Sequence, residues 1–173
     1  MSSSEHESSD ASQDLIIRDV RAADRAAWLD LRRAPDQWEY YLAQAEQNRA
    51  RFLVVEAGGQ LIGFGMLFLR QPLDGSPEPA LPIMSDLHVA ASYRSRGIGS
   101  ALIRRMEALA RESGRTRLYI GVDPIANLRA LALYRRLGYV AVQQQPYLRV
   151  GLYYDANGSY EVRYWRIELV KSL

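Results

Sequence analysis

Between residues 83 and 142 the apolar pattern changes period four times, and this limits the fold more than any other feature of the chain. Ile83–Val89 is short, apolar and β-prone. From about Gly97 to Ser113, Ile98, Leu102, Met106 and Leu109 recur at helical spacing, and Gly114 is placed for a left-handed cap. Leu118–Val122 is strand-like again and is broken by Pro124. Asn127 to Leu137 is helical and closes at Gly138, after which Tyr139–Val142 begins a further strand. Strands joined through helices cannot be hairpin neighbours, so a crossover makes at least one pair parallel.

The flanks are patterned differently. Leu15–Val20 reads as a strand, and Asp24 starts a helix reaching about Arg33 that buries Trp28, Leu29 and Leu31. Pro35 restarts a helical pattern to about Asn48, carrying Trp38, Tyr41, Leu42 and Ala45. Phe52–Ala57 and Leu61–Leu69 flank Gly58-Gly59, a hairpin signal. Gln71–Pro82 holds four prolines and reads as a loop. Leu148–Tyr154 and Tyr160–Val170 are strand candidates around the turn Asp155-Ala156-Asn157-Gly158. Residues 1–13, rich in Ser and acids, are expected to be disordered. Residues 14–173 are expected to form one domain, a mixed α/β sheet with antiparallel strands at both ends and helices on both faces.

With no cysteine, the chain excludes disulfides, thiolate metal sites and cysteine nucleophiles. Two histidines, His6 and His88, are too few for a histidine-built metal site. No apolar run approaches a membrane span, no secretion signal precedes the domain, and a cytoplasmic location is expected. The four acids of residues 1–14, with no Lys or Arg among them, leave 22 basic against 16 acidic residues in the rest. Such a surplus suits a polyanion or simply solvated helix faces. No reading helix or aromatic RNA platform accompanies it, so nucleic acid is not the expected partner.

The chemistry concentrates in Arg94-Ser95-Arg96-Gly97-Ile98-Gly99-Ser100, which follows a strand and opens a helix. Glycines there let main chain approach a ligand, and a helix N-terminus offers free N–H groups and a positive dipole end, a phosphate site. A dinucleotide fold wants a third glycine where Leu102 stands, and a P-loop wants Gly-Lys-Ser/Thr, which is absent. Arg-x-x-Gly-x-Gly after Asp86-Leu87-His88-Val89 resembles the coenzyme A diphosphate loop of the GCN5-related N-acetyltransferases. Asn127, Ala130, Leu133-Tyr134 and Leu137-Gly138-Tyr139 match the second half of that family's pattern.

The resemblance implies a sheet of about six or seven mostly antiparallel strands with one parallel pair splayed apart, and acetyl-CoA as cofactor without metal. It implies that main-chain groups of Leu87, His88 and Val89 pair with the pantetheine arm. N–H groups from Ser95, Arg96, Gly97, Ile98, Gly99 and Ser100, assisted by the Arg94 and Arg96 charges, hold the diphosphate. Asn127 bonds the pantetheine, and Tyr134 stands near sulfur to protonate the thiolate. The family's usual base positions hold Ile83 and Ser85, of which Ser85 can at most orient a water. Asp86 and His88 are titratable, but strand alternation sets them on the face opposite Ser85 unless the strand is bulged. Trp38 and Tyr41 are candidate acceptor-side residues. The expected activity is acetyl transfer to a small-molecule amine, with a homodimer allowed for. The alternatives are acetylation of a protein or peptide, and a non-catalytic acyl-CoA-binding module.

Overall fold

The computed structural model describes residues 14–71 and 81–173; the expected tail 1–13 and most of the expected loop 71–82 lie outside them. The elements follow in the order β1 (Leu15–Asp19), α1 (Arg25–Leu31), α2 (Pro35–Glu46), β2 (Ala50–Ala57), β3 (Gln60–Gln71), β4 (Leu81–Val89), α3 (Ile98–Glu112), β5 (Arg117–Val122), α4 (Leu128–Arg136), β6 (Val140–Ala141), β7 (Tyr147–Asp155) and β8 (Gly158–Ser172). The sheet runs β1-β2-β3-β4-β5-β8-β6, with β7 hydrogen-bonded to the first half of β8. Among the described residues eight strands form, where the resemblance implies about six or seven. The last expected strand, Tyr139–Val142, shrinks to a two-residue β6.

Helices cover both faces because each presents an apolar stripe of period 3.6. Beneath α3 and α4, Leu102, Ile103, Met106 and Leu131 pack on Leu53, Leu67, Met84 and Ile120 of the sheet. Beneath α1 and α2, Trp28 and Trp38 close on Phe52 and Phe64, with ring centroids 5.1–6.1 Å apart in tilted and edge-on contacts. Such aromatic pairs add about 0.5–1.5 kcal/mol beyond the area they bury.

Among the described residues every strand pair is antiparallel except β4 with β5, which the crossover through α3 makes parallel. That ladder contains only Ile83↔Tyr119 and Met84↔Ile120. Beyond them β5 pairs with β8 alone, while β4 continues beside β3. The two parallel strands therefore part in mid-sheet. Strand β8 is long enough to serve twice: residues 167–172 pair with β5, and residues 158–166 fold back with β7 as a hairpin.

Strand β4 is also bulged. Phe64 pairs with His88 and Met66 with Ser85, so β4 carries one residue more than β3 across this span. Asp86 has φ 50, in the left-handed region that Asp and Asn tolerate best among residues bearing a side chain. Past the bulge the alternation restarts on the other foot. Leu87 and Val89 join the core under α3, and His88 stacks on Phe64 at 5.2 Å on the α1–α2 side. The bulge is the exception to plain alternation, and it brings Asp86 and His88 to the α1–α2 side.

Candidate active site

Where β4 and β5 part, a cleft of about 590 Å³ opens, floored by Ile83, Met84, Ser85, Asp86 and Leu87 on one strand and Ile120, Gly121 and Val122 on the other. Helix α4 supplies Tyr134 and its cap Asn127; the end of α1 and helix α2 supply Arg32, Gln37 and Tyr41. The inward face of the β7–β8 hairpin adds Arg149, Gly151, Tyr153, Tyr164 and Arg166.

Tyr134 sits on the buried side of α4, 6% exposed, with its ring edge-on to Tyr139. Burial alone pushes its phenol well above the ordinary value, so the hydroxyl keeps its proton at neutral pH. Asn127 caps α4, its Oδ1 accepting the Ala130 N–H at 3.4 Å. Asp123 closes the turn before it, with Oδ1 accepting N–H groups of Ile125 and Ala126 at 2.8 and 2.9 Å.

At the end of β4 the loop turns into α3 through two left-handed residues, Ser95 (φ 65) and Gly97 (φ 78). Gly97 is the helix cap, and its φ rather than crowding calls for glycine, since a Cβ there would meet nothing within 4 Å. The first helical bond runs from Ala101 N–H to the Gly97 carbonyl at 3.0 Å. The N–H groups of Ile98, Gly99 and Ser100 therefore have no intrahelical acceptor. The loop's cations brace it. Arg94 Nε donates to the Val89 carbonyl at 2.9 Å, the Arg96 guanidinium lies over Tyr93, and Arg129 donates to Ser95 Oγ at 2.8 Å. Alternating left-handed turns and a helix start make an anion-binding concavity of the kind a diphosphate fills.

The structure thus brings Ser85, Leu87, Asn127, Tyr134 and Tyr41 to one cleft, with the 94–100 turn following β4. Trp38 is not there: it is 1% exposed, inside the aromatic cluster, and is corrected from an acceptor-side candidate to core. His88 is half-buried, and burial pushes its pKa down. The cleft also takes Arg32, Gly121 and Arg166, for which the sequence suggests no role, and Tyr153 and Tyr164 from an aromatic tail whose place on the sheet, in the cleft or at a dimer contact the sequence leaves open; Asp86 reaches it through the bulge. Asp86 Oδ2 accepts the Tyr41 hydroxyl at 3.1 Å and Oδ1 faces Arg32 at 3.4 Å. Burial and that carboxylate together hold the Tyr41 phenol well up. Arg166 is paired with Glu168, whose other contact is the Tyr147 hydroxyl at 2.9 Å. Burial opposes the Arg166 charge, but Glu168 and Tyr164 together outweigh it and hold the guanidinium above its ordinary value.

A parallel pair opening beside a diphosphate-shaped turn defines a class of enzymes that take an acyl group from coenzyme A. The chain matches the acetyltransferase (GNAT) family over residues 17–139 and belongs to it. It is an acetyl-CoA-dependent acetyltransferase. It is 27% identical over 143 residues to an aminoglycoside N(6')-acetyltransferase type 1 of Stenotrophomonas maltophilia, covering 79% of this chain and 93% of that protein. It is 33% identical over 98 residues to a streptothricin acetyltransferase of Streptomyces lavendulae, covering 56% of this chain but only 48% of the relative. In fold it is similar to a ribosomal-protein-alanine N-acetyltransferase from Brucella melitensis, with TM-score 0.70, 22% identity and coverage of 91% and 99%. A GNAT acetyltransferase from Elizabethkingia anophelis with acetyl-CoA bound superposes with TM-score 0.61 at 16% identity, over 92% and 98% of the chains.

Proposed function

We propose that this enzyme moves the acetyl group to a primary amine of a small molecule by direct attack, with Tyr134 protonating the departing thiolate. The observation that carries the reading is the two-pair ladder between β4 and β5, which leaves Leu87–Val89 without a strand partner on the β5 side, with Leu87 lining the same cleft as Tyr134 and Asn127. When bound, acetyl-CoA supplies an activated thioester. The residues then divide the work: N–H groups of Ser95 to Ser100 hold the diphosphate, Arg94 and Arg96 stiffen that turn, and the Asn127 amide bonds the pantetheine. A main-chain N–H freed at the parting is aimed where negative charge develops on the carbonyl oxygen. Ser85 orients a water in the cleft. Tyr134, kept protonated by burial, delivers its proton to sulfur. No side-chain nucleophile is needed, because the amine attacks directly.

A small acceptor is favoured by the hairpin, whose Tyr153, Tyr164 and Arg166 stand over the cleft and narrow it. Both aligned relatives are also named for small acceptors, an aminoglycoside and streptothricin. The test is thiol release from acetyl-CoA with a panel of amines and with N-terminal peptides. The reading expects turnover with amines; turnover confined to peptides overturns the small-acceptor part. The outer face of the hairpin exposes Leu148, Val150, Leu152 and Trp165 beside Glu161 and Arg163, whose opposite charges suit pairing about a two-fold axis. A homodimer through this face is part of the proposal; a monomer mass by light scattering at micromolar concentration contradicts it.

A further inference from the structure

The bulge at Asp86 turns a carboxylate into the acceptor half of the cleft, and nothing in the acetyl-transfer scheme above uses it. The left-handed φ of Asp86 is a conformation few side-chain-bearing residues adopt, and Asp is among those that tolerate it. Here a closed ring of polar groups holds it. Arg32 Nε donates to Gln37 Oε1 at 3.1 Å, Gln37 Nε2 donates to the Tyr41 oxygen at 2.9 Å, Tyr41 donates to Asp86 Oδ2, and Arg32 returns to Asp86 Oδ1. The ring fixes the carboxylate while leaving each oxygen further lone-pair capacity. Its side chain is 16% exposed, open to the cleft rather than sealed in the core. The competing groups are committed elsewhere. Asp123 closes a turn, His88 stacks on Phe64, and Ile83 has no basic atom.

We propose that Asp86 is a catalytic residue that receives the acceptor amine and takes the proton its nitrogen sheds on attack. This rests on the acetyl-transfer reading and names the base that reading lacks. A neutral amine forms the C–N bond with its lone pair, and the nitrogen becomes acidic as the bond forms. An ordinary carboxylate is a poor base for a free ammonium but a competent one for that nitrogen. The proton passes to Asp86, the C–S bond breaks with its electron pair on sulfur, and sulfur takes the Tyr134 proton. Water carries the Asp86 proton back to Tyr134, leaving an amide, a free thiol and both residues as they began. The charged and titratable groups facing Asp86 are Arg32, Tyr41 on α2, Tyr153 on β7 and His88 on its own strand.

The test is Asp86→Asn, which keeps the shape and tolerates the left-handed backbone. Two acceptors of similar shape serve as probes: benzylamine, strongly basic, and O-benzylhydroxylamine, which stays neutral at mildly acidic pH. The variant is expected to bind acetyl-CoA as tightly as wild type by calorimetry and to melt within a few degrees of it. Its kcat/KM for either acceptor falls by about 10²–10⁴-fold. At pH 7 the loss persists with O-benzylhydroxylamine, which is already neutral there, because the proton is shed only after attack. An unchanged kcat/KM, a loss seen with benzylamine but not with O-benzylhydroxylamine, or an equal loss of acetyl-CoA affinity overturns the assignment; the last marks a purely structural bulge. If wild-type protein releases no thiol with these or any amine, the acetyl-transfer reading fails and this inference falls with it.

Discussion

The guanidinium of Arg166 lies flat against Gly121, so close that a β-carbon on Gly121 would come within 2.0 Å of its central carbon. Gly121 is on β5 where that strand leaves β4, and Arg166 is on β8 where the hairpin begins to curl over the cleft. The contact ties the hairpin to the parted pair. Gly121→Ala must expel the guanidinium from its place and disturb its pairing with Glu168. We expect a stability loss of about 1–3 kcal/mol in urea unfolding, with acceptor KM raised and acetyl-CoA affinity nearly unchanged. Retained acceptor KM would separate the hairpin from acceptor binding.

Tyr134→Phe removes a hydroxyl whose pKa is moved by burial alone, with no ion pair behind it. Its loss therefore costs little stability, and the melting temperature should stay within a degree or two of wild type. Turnover should fall by about 10²-fold or more while KM for acetyl-CoA holds. Wild-type turnover in this variant removes the phenol from the mechanism.

On the α3–α4 face of the sheet, Glu107 is a buried carboxylate that accepts the Tyr139 hydroxyl at 3.1 Å and Lys171 Nζ at 2.9 Å. This links α3 to the turn between α4 and β6 and to the last strand. Lys171→Met leaves the buried charge with only Tyr139 and should cost about 1–3 kcal/mol, reduced from the deep-interior figure because Lys171 is partly exposed. Adding Glu107→Leu should recover most of it, since an apolar pair of similar volume replaces the ion pair. Additive losses in urea unfolding would show that the two do not interact.

Asp24 is held below the ordinary carboxylate range, chiefly by its hydrogen bonds to Arg18, which also bonds Glu56. A carboxyl depressed in the folded state binds fewer protons there than in the unfolded chain. Its contribution is complete above the unfolded pKa, about 3.9, and is lost as pH falls through the lower folded value. Wild type should therefore lose stability on acidification in that window, and Asp24→Asn should lose less, as read by melting temperature against pH. Parallel curves for the two proteins contradict this.

Much of the frame was legible because its signals are local. The stripe Ile98, Leu102, Met106, Leu109 fixes α3, Gly58-Gly59 fixes a hairpin, and the order of strands and helices from Ile83 to Val142 forces the parallel pair. The turn at residues 94–99 is readable for the same reason: left-handed backbone and a helix start leave a mark in residue type. The cleft's acceptor side left no such mark. A bulge is one extra residue in a strand, and nothing in Met84-Ser85-Asp86-Leu87 announces it, yet it decides which face Asp86 takes. Helical spacing gives Trp38 and Tyr41 one apolar side but does not tell the core ring from the one reaching the cleft. The run Tyr160–Val170 looks like one strand because it is one; that its two halves serve different partners depends on contacts far away in sequence.

Hydrogen exchange with and without saturating coenzyme A tests the central claim most directly, because that claim concerns main-chain N–H groups. Protection should appear at the amides of Leu87–Val89 and Ser95–Ser100, with little change on α1, β1 or the outer face of the hairpin. Bound coenzyme A with those amides exchanging as in the free protein, and protection located elsewhere, contradicts the account.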